Sequence, residues 1–254
     1  MRHTSDLDLA VRPVVGLIDE YPAGLVDPLH SHNRAQVLYA CSGVMSVITP
    51  STSFVVPPQR ALWLPAGMQH EVSCRGPVAL RTLYVDPGLD RAPQECRIIE
   101  VTDFLKALIL EVVSFGDDYD LAGRAGRIVA LLIDEMATMP RAPYSAPMPV
   151  DPRVKRVCKA ILANPADQRN IDDWANLAGM GRRTFTRAFM RETGMGLAVW
   201  RQQVRLMEAL SRLASGQPIT TVAFDVGYDS PSAFSAMFRR AFGVAPSEYE
   251  TRQT

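Results

Sequence analysis

The chain has 254 residues, 47% of them hydrophobic, which suits a globular protein of one or two domains, each with its own core. No apolar run approaches the roughly 20 residues that cross a bilayer, so no membrane-spanning helix is expected. The net charge of zero hides a split: residues 1–149 carry 12 basic and 17 acidic side chains, a net −5, and residues 150–254 carry 15 and 10, a net +5. A basic half rich in arginine points to nucleic acid.

The opening segment MRHTSDLDLA has no apolar core of a secretory signal. Cys41, Cys74, Cys96 and Cys158 form no CxxC pair. Both features lead us to expect reduced thiols and a cytoplasmic protein. From Val14 to Val85 short β-rich runs (VLYACSGVMSVIT, SFVVPP, ALWLPAG, VALRTLYVD) are broken by Pro and Gly, which predicts a sandwich or small barrel. Three of the four histidines lie here. His30 and His32 share one strand face by alternation, and His70 follows a Pro65–Gly67 turn.

The spacing is specific: Gly24, five residues, His30-x-His32, Gln36, then Gly43; later Pro65-x-Gly67 and, after two residues, His70. Both stretches resemble the two motifs of the cupin superfamily. The resemblance implies a β-barrel whose imidazoles converge, so that His30, His32 and His70 could hold one divalent transition metal. Gln36 stands where the family has an acid, and a neutral amide is a poorer ligand for a dication. A metal-free pocket therefore stays open, in which the imidazoles and Gln36 hydrogen-bond an organic effector, as does plain core packing. Trp63 and Tyr39, on neighbouring predicted strands, either wall that pocket or fill the core.

Next come two amphipathic helices within 100–139. The first is capped by Thr102 and carries Phe104, Leu105, Leu108, Ile109 and Val112. The second carries Ile128, Leu131, Leu132 and Met136. The Pro-rich stretch MPRAPYSAPMPVDP then reads as a linker. The expected partition is a β domain over 1–98, a helical segment over 99–139, a linker over 140–152 and an all-α domain over 153–254.

That last domain contains a repeat. Ile171, Trp174, Ala175, Ala178 and Gly179 match Ile219, Val222, Ala223, Val226 and Gly227 at constant offset. After one inserted residue Phe185, Phe189, Gly194 and Trp200 match Phe234, Phe238, Gly243 and Tyr249. Each copy reads as helix, glycine turn, helix. Asn170 caps the first helix of copy one; Ser230 and Pro231 open the second helix of copy two. Between the copies LAVWRQQVRLMEALSRLAS predicts a rod of about 18 residues and about 27 Å, near the roughly 34 Å pitch of B-DNA.

The LAGM turn, FTRAFMRETG, the spacer and GYDSPSAFSAMFRRAFGVAPSEY resemble the double helix-turn-helix domain of the AraC/XylS transcription regulators over essentially all of residues 150–254. The resemblance implies that the second helix of each copy enters a major groove. Copy one would then present Arg182, Arg183, Thr186 and Arg187, with arginine suited to guanine O6 and N7. Copy two would present Ser230, Pro231, Ser232 and Ser235, short groups suited to shape and phosphate, followed by Arg239 and Arg240. Gly181 replaces the usual capping serine, a loss of a few tenths of a kcal/mol. The resemblance further implies a homodimer through the 100–139 helices, a small-molecule effector in the cupin domain, duplex DNA as target and RNA polymerase as a further partner. The rival reading is a metal-dependent cupin enzyme with a helical assembly domain. The expected fold class is α+β.

Overall fold

The computed structural model describes residues 10–74, 76–89, 93–140 and 145–251, with backbone only for 249–251; part of the predicted linker and the side chain of Tyr249 lie outside them. Contacts group the chain into two units, residues 1–49 with 56–143, and residues 50–55 with 144–254. In chain order the elements are β1 (Val14–Tyr21), β2 (Val26–His30), β3 (Ala35–Ser42), β4 (Met45–Ile48), β5 (Thr52–Val56), β6 (Arg60–Leu64), β7 (His70–Cys74), β8 (Val78–Val85), β9 (Arg97–Glu100), α1 (Asp103–Ser114), α2 (Arg124–Thr138) and β10 (Ser145–Pro147). No helix among the described residues is long and apolar enough to cross a membrane.

The first unit is built on an antiparallel sheet ordered β1-β8-β3-β6-β9 and on the neighbouring strands β4-β7-β2. Its register decides which side chains meet. Val37 lies opposite both Trp63 and Leu83, while Gln36 lies opposite Leu64 and Tyr84. Residues opposite one another share a face, and the next residue takes the other. Val37, Tyr39, Trp63, Leu83 and Val85 therefore form the face that packs on Leu105, Ile109 and Val112 of α1 and Val129, Leu132 and Met136 of α2. Each such burial stabilises by about 1.5–3 kcal/mol. The helix comes close because residue 16 is glycine: a Cβ there would sit 2.5 Å from Val113 Cα.

Thr102 caps α1 as expected, accepting from Leu105 N at 3.2 Å. Phe104 and Leu131, assigned from sequence to the apolar stripes, are instead 53% and 41% exposed. A hundred-degree stripe is wider than the contact a helix makes with one sheet face, so its margins face water.

In the second unit, α3 (Pro152–Ala163) precedes the repeat. Copy one is α4 (Ile171–Leu177) and α5 (Arg182–Thr193), the spacer is α6 (Leu197–Ala214), copy two is α7 (Ile219–Asp225) and α8 (Pro231–Phe242), and α9 (Pro246–Thr251) closes the domain. Asn170 and Asp173 form a reciprocal capping box on α4, and Ser230 Oγ accepts from Ala233 N at 3.2 Å on α8. Gly179 and Gly227 turn both copies at φ +65° and +84°, a region costly for any side chain. The repeat positions Trp174, Ala175, Phe185 and Phe189 and their counterparts Val222, Ala223, Phe234 and Phe238 are all buried.

The spacer is braced to both copies. Arg201 donates to the carbonyls of Asp167 and Arg169 beside α4. Arg212 bridges buried Glu208 (2.7 Å) and Asp225 of α7 (2.6 Å). Residues 145–147, expected to be linker, form β10, which pairs with β5, and Trp200 Nε1 donates to Pro147 O at 2.8 Å. Proline at a strand end costs no ladder bond, which is why a Pro-rich stretch can still be a strand.

Candidate functional sites, a histidine cluster and a basic helix face

His30 ends β2, His32 follows it, and His70 opens β7 directly opposite His30. The ring centroids lie 4.3 Å (His30–His70), 4.9 Å (His30–His32) and 5.6 Å (His32–His70) apart. One ring nitrogen from each falls within 4.8 Å of the others. His30 Nδ1 lies 2.7 Å from Pro28 O and His70 Nδ1 2.9 Å from Met68 O. A carbonyl only accepts, so both Nδ1 atoms donate, which leaves Nε2 of each ring as the atom free to present a lone pair. His70 Nε2 is buried with no hydrogen-bond partner among the described residues.

The other predicted residues divide. Gln36 shares the sheet face of Tyr84 and donates to its hydroxyl at 3.2 Å, leaving Gln36 Oε1 buried and unpartnered among the described residues. Tyr84 in turn meets His32 edge-on at 5.1 Å. Trp63 does not join them. It lies on the helix-facing side of the sheet with Tyr39, its Nε1 donating to Pro93 O at 2.8 Å. Tyr84 was not singled out from sequence; only the cross-strand register brings it beside Gln36.

The lone pairs and the amide oxygen make this a site of electron-pair donors. Burial, reinforced by the neighbouring His30 and His32, pushes the His70 pKa down to about 4, against the bond to Met68 O and the charge of Asp27, which raise it. Unfolded, His70 takes a proton near pH 6.5; folded, it stays neutral until about 4. Its contribution to stability is thus lost as pH falls from about 6.5 to about 4. Melting curves across that window should show a falling Tm in the wild type, and His70→Gln should flatten the fall; equal slopes would rule the effect out.

Arg34, two residues after His32, is buried and donates to three backbone carbonyls, Ala10 (2.7 Å), Arg12 (2.6 Å) and Pro13 (2.9 Å). Arg12 pairs with Asp118, and Tyr119 OH both donates to Val14 O (2.9 Å) and accepts from Val14 N (3.2 Å). One turn thus holds a cluster histidine and the anchor of residues 10–14, which in turn hold the α1–α2 connection.

On the second unit, Arg182, Arg183, Thr186 and Arg187 of α5 are all exposed. Their roles differ. Arg182 lies 3.4 Å from Asp172 of α4, and Thr186 Oγ1 donates to Arg182 O at 2.9 Å. Arg183 and Arg187 have no carboxylate within ion-pair distance among the described residues and line a cleft with Asp151, Arg153 and Arg191. In copy two Ser232, Arg239 and Arg240 are exposed, Ser235 and Pro231 are half-buried, and the Ser230 hydroxyl is committed to capping α8.

Comparison with known proteins gives the same division. The family model for an AraC-like ligand binding domain matches residues 13–142, and one for a helix-turn-helix domain matches residues 174–252. The HTH-type transcriptional regulator NimR of Escherichia coli K12 is 28% identical over 230 residues, spanning 91% of this chain and 84% of that protein. The HTH-type transcriptional regulator RipA of Corynebacterium glutamicum is 35% identical over 107 residues, spanning 42% of this chain and 32% of that protein. The crystal structure of ToxT from Vibrio cholerae O395 aligns over 96% of this chain and 100% of its own at 12% identity, with a TM-score of 0.40.

Proposed function

The chain belongs to the AraC-like family of DNA-binding transcription regulators, and on that premise we propose that Arg183 and Arg187 read its promoter DNA while an effector in the histidine cluster sets how well they do so. It is a regulator with an N-terminal ligand-binding domain and not an enzyme; its relatives are named as transcriptional regulators. The observation that carries the DNA assignment is the pair of guanidiniums on the second helix of copy one, exposed and with no carboxylate within ion-pair distance among the described residues. Each has the donor fork that matches guanine in the major groove. Copy two, with short exposed groups and two arginines at the end of α8, supplies shape fit and phosphate contact.

The test begins with operator selection by the purified full-length chain. Arg187→Ala should then cost about 1–3 kcal/mol at one operator position and relax the preference there. Equal weakening on every sequence would reassign Arg187 to the backbone.

For the effector, the donor set supports a divalent transition ion held by His30, His32 and His70, with Gln36 Oε1 as the adjoining acceptor. A site that presents lone pairs suits a Lewis acid better than an anion, and imidazole suits zinc, nickel, copper or iron. The ion would act as a bound charge that orders its ligands. The chain's own residues do the rest: His32 and Arg34 sit in one turn, so ordering that turn acts on residues 10–14 and, through Asp118 and Tyr119, on α1 and α2. The exposed Phe104, Leu110 and Leu131 on those helices support a homodimer, which doubles the groove contacts. Regulation through RNA polymerase in the cytoplasm completes the reading.

A further inference from the structure

The cleft beside α5 has walls from two elements. Arg183, Thr184, Arg187 and Arg191 come from α5; Asp151 and Arg153 come from the start of α3, outside the helix-turn-helix repeat. Arg183, Arg187 and Arg191 recur every four residues and form one stripe. Four guanidiniums thus surround a concave space that holds a single carboxylate. The segment before α3 is held against α5 by Glu192, whose Oε2 accepts from Val150 N (3.1 Å) and Asp151 N (3.2 Å), while its Oε1 accepts from Arg191 (3.0 Å). Asp151 caps α3 and holds Arg153 through Oδ1 (3.2 Å) and Oδ2 (2.9 Å).

Copy two lacks most of these arginines. The residues matching Arg183, Thr184, Arg187 and Arg191 are Ser232, Ala233, Ala236 and Arg240. A base edge is flat and is read by one protruding side chain. Arg183 and Arg187 can serve bases in that way; Arg153 and Arg191, which line the same cleft, suit a small tetrahedral anion, to which arginine donates two parallel bonds. When α5 lies in a major groove, the anions along its flank are backbone phosphates.

We infer that the part of this cleft between Arg153 and Arg191 seats a DNA backbone phosphate bordering the groove that α5 enters, while Arg183 and Arg187 serve the bases, and that Arg153 of α3 is a DNA contact governed by Asp151. The inference rests on the DNA-binding reading above. On docking, the phosphate takes Arg153 over from Asp151, one anion exchanged for another, so Asp151 weakens binding in proportion to its hold on Arg153. Copy one then carries both sequence reading and a large share of the salt dependence.

The test uses the full-length chain, the selected operator and a random-sequence duplex of the same length, titrated at several salt concentrations. Arg153→Ala should weaken both duplexes alike, by roughly 3–10-fold at 0.1 M salt, and should make the slope of log K against log salt shallower by about one. Arg153→Lys should keep the slope. Asp151→Asn, which keeps a capping oxygen, should tighten both duplexes by roughly 2–5-fold. If Arg153→Ala folds as the wild type yet leaves affinity and slope unchanged, the proposal is wrong. It is equally wrong if the loss falls on the operator alone, which is base reading, or if inorganic phosphate raises the Tm of wild type but not of Arg153→Ala while duplex binding is unaffected, which is a free-anion site. A wild-type chain that binds neither duplex would instead overturn the DNA-binding reading itself.

Discussion

Phe185→Ala should lower the stability of the second unit by about 3–5 kcal/mol and abolish operator binding. Phe185 is fully buried on the first recognition helix, and its ring meets Phe189 at 5.7 Å, which meets Trp200 of the spacer at 5.9 Å. Those contacts link α5 to the rod that spaces the two copies. Truncation removes the apolar contact and leaves a cavity that a helix pinned by Glu192 and by the spacer cannot close. The effect differs in kind from that of Arg187→Ala, which should change sequence preference and leave Tm unmoved. Melting of both variants, read beside duplex binding, separates them. A Phe185→Ala chain that keeps its Tm and its operator affinity would show that the α5–α6 contact does not organise the reading head.

His70→Ala should reduce affinity for nickel and zinc by at least about 100-fold, measured by calorimetry on the full-length chain, and leave the rest of the fold in place. Loss of groups that merely orient a ligand already costs about 10–100-fold, and His70 would be a ligand itself. His70 is the most enclosed of the three imidazoles, and its ring is held by Met68 O on Nδ1 and by His30 across the strand pair. Gln36→Leu should have a smaller effect on the ion, because the amide is anchored to Tyr84 and offers one oxygen. Unchanged ion affinity in His70→Ala would move the ion elsewhere and leave the cluster to an organic effector.

Much of this is legible in the sequence. The nine matched repeat positions encode helices with a glycine turn because burial forces the same residue types at the same spacing in both copies. The HxH and PxGxxH spacings place three imidazoles together because a strand pair fixes where His30 and His70 can meet. Other features were not legible for a physical reason. The sequence leaves Trp63 open between pocket and core, because a strand's inward face depends on register across loops; pairing with Val37 turns it toward α1 and α2. Tyr84 was missed for the same reason. The strand at 145–147 was hidden by its prolines, and Arg153 lies before the repeat, where a charged residue at a helix start looks like any solvated one. Arg34 carries no local sequence signal for burial; it is buried because three carbonyls 21 to 24 residues earlier turn toward it.

Coupling between the histidine cluster and DNA is read by titrating the selected operator with the wild-type chain, metal-stripped and then loaded with nickel or zinc, with His70→Ala in parallel. The ion should shift the wild-type Kd by about 5–150-fold, a coupling of roughly 1–3 kcal/mol, and His70→Ala should give one Kd under both conditions. A wild-type Kd that is the same with and without the ion, while calorimetry shows the ion bound at the histidines, would contradict that coupling.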